Sequence, residues 1–546
     1  MRPSALLVGP YDPYSGEYTF LAPPLGVWRL KGVLQSRGFE VAVFDPNCVE
    51  SGTPERAFEQ VLAQRVWSVI GFSTTGMTLK WDLSLAHLAH ARRPESLLVA
   101  GGMEATFNVN AMFNLGPFDI VVLGEGERPL IEILTRVGKA APVEDIIGTA
   151  WRSSDGAIQV QMQPALTHDE LRDSIFRIPY EEMPYAKYWE RLEEAYNVGA
   201  LPFKADREAR LSEIRSVRLI TLNYCPMGCT FCSSTHFLNA AQGSTARIAR
   251  LDEHECMTMI QRIIAAHPTV RTIIFQDDIF VFRTDARVLP LMKLIIDAKE
   301  RGELPPNLQF ISTNRIDAMT RERLEAMRLA GFRVLGFGIE SFSPGMLEEF
   351  NKSQIYGHID SALRDARALG ITPFLDTILT SPRCSLFDVA ETIRQAYAWI
   401  AAGCEVGMYP YVIPFSGAAM STDPRLRSQI VTTSQQVPGT AIRWDQPSKI
   451  LPFDPAVRDA IVEIEELFRD RMEVLERDVP HLPSRVRSLL WIASAIPILA
   501  RAGHTVPVES EAIDHLMAHL PALTTQQQKA LRDEFEETAL ERASGR

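Results

Sequence analysis

Cysteine is scarce, seven in 546 residues. That excludes a disulfide scaffold. Basic residues are outnumbered: 56 Lys and Arg stand against 68 Asp and Glu, a formal net charge of -12. This excludes a nucleic-acid backbone as the main partner, because phosphate binding needs clustered positive charge. Long apolar runs are missing. The run near the N-terminus is too short for a signal peptide. The longest later one, residues 489–500, is broken by Ser494 and Pro497 and is too short to span a bilayer. No Gly-x-Gly-x-x-Gly opens the first helix, so a dinucleotide site lacks its fingerprint. There is no internal repeat and no low-complexity tract. The first histidine is His87. What remains is an ordinary globular composition, 46% hydrophobic and 23% charged, long enough for three or four domains.

Three of the seven cysteines share one loop. Residues 217–222 are apolar and β-branched and read as a buried strand. The strand runs into Cys225, Cys229 and Cys232, spaced Cys-x3-Cys-x2-Cys, with Phe231 just before the last. Three thiolates can hold three irons of a four-iron cluster and leave the fourth open. A structural zinc site normally closes its shell with four ligands. No second Cys or His pair follows; the nearest extra candidates are His236, His254 and Cys256. Pro226 and Gly228 shape a loop that turns its sulfurs inward, which three merely packed cysteines do not need. A cluster requires reduced sulfur, so a cytoplasmic location is expected.

The chain around this loop divides into four parts. Residues 1–150 alternate strands (5–8, 41–44, 69–72, 97–100, 120–123) with helices, as in a doubly wound, Rossmann-like parallel α/β sheet. Ligands of such sheets sit beyond the carboxyl ends of the strands. Those ends carry Ser73, Thr74 and Thr75, then Gly101 and Gly102, then Gly124, Glu125, Gly126 and Glu127. Residues 151–215 are a connector opening with a strand pair that turns at Asp155-Gly156. Residues 216–415 hold six strand–helix units, a partial (β/α)6 TIM-type barrel, whose chemistry belongs at the carboxyl ends. There stand the cysteines, Gln276-Asp277-Asp278, Asn314-Arg315, Glu340-Ser341 and Thr380-Ser381-Pro382. Residues 416–546 show no strand and read as helical, with a start at Asp454-Pro455 and an apolar stripe from Val457 to Leu475, ended by Pro480.

The cysteine motif, with its aromatic, resembles the signature of radical S-adenosylmethionine enzymes. Residues 1–150 resemble the cobalamin-binding domain that precedes many of them, through Pro23-Pro24-Leu25-Gly26, the loop 73–75, Gly101-Gly102 and Gly124-Glu125-Gly126-Glu127. The resemblance covers residues 1–415. It implies a [4Fe-4S] cluster on Cys225, Cys229 and Cys232, with Phe231 beside it. It implies S-adenosylmethionine contacts from Gln276 and Asp277 (methionyl amino group), Asn314 and Arg315 (ribose or carboxylate) and Glu340. It implies a cobalamin whose nucleotide tail lies along Ser73, Thr74 and Thr75, close to Gly101, Gly102, Gly124 and Glu125. The family's Gly-x-Pro-Gly-Glu after the fifth barrel strand is replaced here by residues 379–384, and its His two positions after the paired glycines by Glu104. The Asp-x-His-x-x-Gly motif that supplies a lower axial ligand is absent, so base-off cobalamin with no His ligand is expected.

The activity implied is methyl transfer. One S-adenosylmethionine methylates cob(I)alamin, and a second yields a 5′-deoxyadenosyl radical that activates the substrate. A small natural-product intermediate, as in antibiotic biosynthesis, would be methylated on carbon or phosphorus. A low-potential donor such as ferredoxin or flavodoxin would supply electrons. Two alternatives stay open at this level: a cobalamin-binding oxidoreductase or cyclase that transfers no methyl, and a zinc-stabilised binding protein.

Overall fold

The structure is a computed structural model that describes residues 3–11, 22–49, 52–197, 207–476 and 484–506. Its first sheet has seven strands: β1 (Ser4–Val8), β2 (Glu40–Phe44), β3 (Val69–Ser73), β4 (Leu97–Gly101), β5 (Ile120–Val122), β6 (Thr149–Arg152) and β7 (Ile158–Gln161). The order is β2-β1-β3-β4-β5-β6-β7. The first five are parallel, and the β6–β7 hairpin continues the sheet antiparallel. All five residues of β1 are buried, as expected when helices cover both faces. The strand order reverses between β1 and β3, which opens a crevice at their carboxyl ends.

The second sheet has six strands: β8 (Ser216–Leu219), β9 (Thr272–Phe275), β10 (Gln309–Asn314), β11 (Phe332–Glu340), β12 (Thr372–Ile378) and β13 (Glu405–Tyr409). All are parallel and lie in chain order, an open barrel. Side chains alternate across it. Leu335, Phe337, Ile339, Leu375 and Val406 face the outer helices and belong to one core. The opposite face carries Gly336, Gly338 and Gly407, and the side chains of Glu340, Lys352 and Asp376 take the space beside the last two.

The expectation of a strandless region after residue 415 is corrected. β14 (Ile430–Gln436) and β15 (Arg443–Ile450) form an antiparallel hairpin. Its residues are polar and largely exposed, so no apolar run announces it. Its stability comes from where its tip docks. Val437 is fully buried in the core of the first domain, with Ile442 and Trp444 packed beside it. Gln446 Nε2 donates to Gly76 O at 2.5 Å, and at the far end Ile450 N donates to Val412 O at 3.0 Å. The hairpin thus straps the barrel to the first domain. Helices Pro455–Glu476 and Ser484–Arg501 follow and pack on each other, with Phe468 stacked on Trp491 at 4.0 Å. Pro480 and residues 507–546 lie outside the described residues.

A second seam joins the domains. Gly417 has φ +82°, and a Cβ there would stand 2.1 Å from the Phe107 ring. Only glycine lets that ring in. Beside it, Asn108 Nδ2 donates to Ser416 Oγ at 2.7 Å, and Ser416 Oγ donates to Glu104 Oε1 at 3.2 Å. Glu104, standing where the related pattern has histidine, therefore serves the domain contact. Among the described residues no helix is long and apolar enough to cross a membrane.

Candidate functional site

The cysteine loop starts where β8 stops. β8 ends at Leu219 and does not reach Leu222, because a carboxylate replaces the ladder. Asp277, buried at the end of β9, accepts from Thr221 N and Thr221 Oγ1 at 2.6 Å each and from Leu222 N at 3.0 Å. Arg287 Nη1 donates to the same Thr221 hydroxyl at 3.0 Å and to Leu251 O at 2.9 Å. Burial raises the Asp277 carboxyl to about 6, against the pull of Arg287 and its three donors.

Beyond this brace the loop is held by neighbouring elements. Gly228 N donates to Thr235 Oγ1 at 2.7 Å, and Asn351 Nδ2 donates to Gly228 O at 2.9 Å. Thr230 Oγ1 donates to Glu349 O at 2.8 Å. Phe231 packs edge-on against Phe350 at 5.2 Å, which explains an aromatic before the third cysteine. Cys229 is buried, Cys225 and Cys232 half-buried, and all three are free thiols. Burial pushes each thiol up, Cys225 to about 12, so the bare loop holds its protons until a cationic group displaces them. Among the described residues no three His, Cys, Asp or Glu side chains form a set for a single metal ion. A cluster needs no such convergence, since each thiolate takes its own iron.

The barrel's other strand ends surround the loop. Gln276 is exposed, its backbone N–H on Leu219 O at 2.7 Å. Asp278 accepts from Ser234 Oγ at 3.3 Å, and its charge adds to the raised Cys225 and Cys232 thiols. Asn314 is buried and bonded to Ser312 of its own strand. Arg315 grips Asp317 through Nε at 2.7 Å and Nη2 at 3.1 Å, and its buried Nη1 has no partner among the described residues. Glu340 adopts φ +62° at a bulge in β11, a conformation that costs a side chain about 1–3 kcal/mol. Its Oε1 accepts from Lys352 Nζ at 2.7 Å; the same ammonium donates to Gly338 O at 2.8 Å and lies 5.7 Å from the Phe231 ring centre. Asp376 sits on β12 between Gly338 and Gly407 of the flanking strands. Burial, with the Glu340 charge adding, raises it to about 7.

Lys352 and Asp376 escape a reading by strand ends. Lys352 lies on the segment after β11, and Asp376 lies inside a strand. Only the lost side chains at Gly338 and Gly407 hint at the space they face. Asp278 stands beside two predicted residues without being singled out.

The first domain holds a cavity of about 260 Å³ at its strand ends. Ser73, Gly101, Gly102, Gly124 and Glu125 line it. Thr74 does not: its hydroxyl donates to Gly101 O at 3.0 Å and accepts from Ala105 N at 3.2 Å. Thr75 turns to Thr78, 2.8 Å between hydroxyl oxygens. Gly102 has φ +97°, and a Cβ there would come within 2.6 Å of Thr74 O. The far wall is Ile220, Asn223 and Phe237, residues of the cysteine-bearing segment. Among the described residues a Cβ on Gly26 would meet nothing within 4 Å, and Gly26 lines the cavity. An apolar slot edged by glycine backbone fits a flat heterocyclic tail, such as cobalamin's.

Two family models match the chain: the B12 binding domain over residues 12–134 and the Radical SAM superfamily over residues 219–396. Together they span more than half of it. An uncharacterized methyltransferase of Pyrococcus horikoshii is 22% identical over 378 residues, 68% of this chain and 73% of that protein. Cytidylyl-2-hydroxyethylphosphonate methyltransferase of Streptomyces wedmorensis is 23% identical over 244 residues, 39% of this chain and 44% of that protein, so less than half of its length is spanned. Among solved structures, the radical S-adenosylmethionine methyltransferase TsrM of Kitasatospora setae, with cobalamin and a [4Fe-4S] cluster bound, superposes with a TM-score of 0.61 at 16% identity over 100% of both chains. The cobalamin-dependent S-adenosylmethionine radical enzyme OxsB with aqua-cobalamin bound gives 0.64 at 12% identity, over 100% of this chain and 81% of that one. At these identities the two structures speak for the fold. With both domains matched in order, the chain joins a B12 binding domain to a Radical SAM domain and belongs to the cobalamin-dependent radical S-adenosylmethionine enzymes, with a [4Fe-4S] cluster, S-adenosylmethionine and cobalamin as cofactors.

Proposed function

We propose that the enzyme methylates a carbon of a small natural-product intermediate. The observation that carries this reading is the shared segment. Ile220, Asn223 and Phe237 close the cobalamin cavity, and Cys225, Cys229 and Cys232 lie between them on the same stretch. The cluster, when bound, supplies the electron that cleaves a sulfonium, and cobalamin carries the methyl group.

The protein's own groups then hold and orient. The three cysteines each ligate one iron. Arg315, with Nη1 unpartnered among the described residues, takes the methionyl carboxylate. Gln276 and Asp278 face the methionyl amino group, while Asp277, its oxygens on Thr221 and Leu222, fixes the loop. Asn314, Glu340 and Asp376 surround the nucleoside. Ser73, Gly101, Gly102, Gly124 and Glu125 receive the cobalamin tail. Carbon is favoured over a phosphonate or phosphinate acceptor because the two cations beside the cysteines are taken: Lys352 pairs with Glu340, and Arg315 is shared between Asp317 and the methionyl carboxylate. A low-potential donor such as ferredoxin or flavodoxin supplies electrons, and a cluster that needs reduced sulfur fits a cytoplasmic location.

The direct test is anaerobic reconstitution with cobalamin and methyl-labelled S-adenosylmethionine, followed by product analysis. The reading expects S-adenosylhomocysteine, 5′-deoxyadenosine and label in a C–CH3 product. Deoxyadenosine with neither of the others would favour a cyclase or oxidoreductase, and a colourless zinc protein would end the proposal.

The cobalt is expected base-off without a histidine below it. His87, the first histidine, is on helix Leu79–Arg92 with Nε2 at 2.8 Å from Leu115 O. The EPR spectrum of the reduced cofactor should then lack nitrogen superhyperfine splitting; a resolved triplet contradicts this.

Asp376 gives a pH signature. Its carboxyl titrates near 7 when folded against an ordinary value of 3.8. The folded state therefore binds the extra proton between those values, and the stabilisation present below pH 4 is lost as pH rises through 7. Melting temperatures of the wild type and Asp376→Asn, followed across that range, should diverge as pH rises: the wild type falls relative to the variant. Parallel curves would refute the assignment.

A further inference from the structure

Consecutive residues 349–352 hold the cysteine loop from one side. Glu349 O accepts from Thr230 Oγ1 at 2.8 Å, Phe350 packs edge-on against Phe231 at 5.2 Å, and Asn351 Nδ2 donates to Gly228 O at 2.9 Å. Asn351 does so from φ +58°, in the left-handed region that asparagine tolerates better than most side chains. The last of the run is Lys352, 8% exposed. Its ammonium donates to Glu340 Oε1 and Gly338 O and lies 5.7 Å from the Phe231 ring centre, one residue before Cys232. Burial raises the Cys229 thiol; the Lys352 charge opposes it, ahead of the other charges in reach, those of Cys232, Glu340 and Arg315. Lys352 weighs more on Cys229 than Glu340 does, so the ion pair turns its positive end to the loop.

Stability does not explain a buried ammonium at this place. Desolvating both members of an ion pair costs about what their attraction returns, and apolar residues of similar volume often serve as well. The loop does not need the cation for its backbone either, because Glu349, Phe350 and Asn351 already hold it. What an ammonium supplies, and an apolar side chain cannot, is a fixed charge in a dry site. Such a charge acts with little screening on whatever changes charge beside it. The group that changes charge here is the cluster on Cys225, Cys229 and Cys232. Reduction adds one electron, taken from a low-potential donor, and breaks no bond. Charge near a cluster is one of the levers that set its potential.

We infer that Lys352 sets the reduction potential of the cluster: it favours the reduced form, and Glu340 moderates it. The inference rests on the cluster reading above and extends it to a residue far outside the cysteine motif. Lys352 acts through space and ligates no iron. The run 349–352 is the device that keeps its charge at a fixed distance from the loop.

The test uses the full-length protein with its cluster reconstituted anaerobically, without S-adenosylmethionine or corrinoid. Samples are poised at a series of potentials with mediators, and the EPR signal of the reduced cluster is integrated. At the wild-type midpoint, Lys352→Met should lower the ratio of reduced to oxidised cluster about tenfold, a midpoint about 59 mV more negative. Glu340→Gln removes the opposing charge and should shift the midpoint in the other direction. Lys352→Arg keeps the charge and should stay near the wild type. A merely structural role would change iron content and would not give shifts of opposite sign. Equal midpoints in the wild type, Lys352→Met and Glu340→Gln overturn the inference, as do shifts of the same sign in the two variants. Should Lys352→Met fail to retain its iron, the other two variants decide: a raised midpoint in Glu340→Gln with an unmoved one in Lys352→Arg supports the inference, and an unmoved midpoint in Glu340→Gln overturns it. A wild-type protein that takes up no iron and sulfide overturns the cluster reading, and the inference with it, whereas every other outcome leaves that reading standing.

Discussion

The Asp277 carboxylate is the constraint on which the rest depends. Three hydrogen bonds from Thr221 and Leu222 end on it, and Arg287 fixes the Thr221 hydroxyl from the other side. Breaking a buried charged network of this kind typically costs about 3–5 kcal/mol. The network turns the chain off the sheet at the residue after β8's last partner. That turn sets where the cysteine loop begins and which way it leaves the barrel. Without it β8 would continue to Leu222 and carry the cysteines along the strand axis.

What the turn achieves is economy of distance. The stretch from Ile220 to Phe237 has one side on the cobalamin cavity and carries the three cysteines. The two domains are locked in that arrangement twice, at Gly417 with Phe107 and through the β14–β15 strap to Gly76. Around the cysteines the charges are paired in place: Lys352 with Glu340, Arg315 with Asp317. Lys352 keeps a cation near a loop that will carry three thiolates, and it holds Glu340 in its unfavourable backbone conformation. Gly338 and Gly407 supply the room that Glu340, Lys352 and Asp376 occupy. Structure and chemistry converge because the side chains missing from the inner face are the ones that would fill the site.

Much of this was legible in the sequence. Cys225, Cys229 and Cys232 could be read from spacing, and β1 to β5 from short β-branched runs between turn residues. Both kinds of signal are local. The failures are tertiary. β14 and β15 are polar and pair with each other, so their evidence lies in Val437 docking on another domain. Thr74 and Thr75 look like ligand residues in a Ser/Thr loop, yet the Thr74 hydroxyl ties the end of β3 to the end of β4 and the Thr75 hydroxyl turns to Thr78 within the loop. Asp277 looks like a cofactor contact at a strand end, but burial and three donors make it structural, and its neighbour Asp278 faces the cysteines. Lys352 has no motif at all; it is defined by a buried ion pair.

One chain segment, residues 220–237, lines the cobalamin cavity and carries the three cysteines, which would set the cluster and the cobalt within short range of each other. That proximity is tested most directly by EPR on the enzyme carrying both cob(II)alamin and the one-electron-reduced cluster. Magnetic interaction between the two paramagnets is expected: broadened lines and faster relaxation of the cobalt signal than in enzyme whose cluster is oxidised. A spectrum equal to the sum of the two separate species would contradict it.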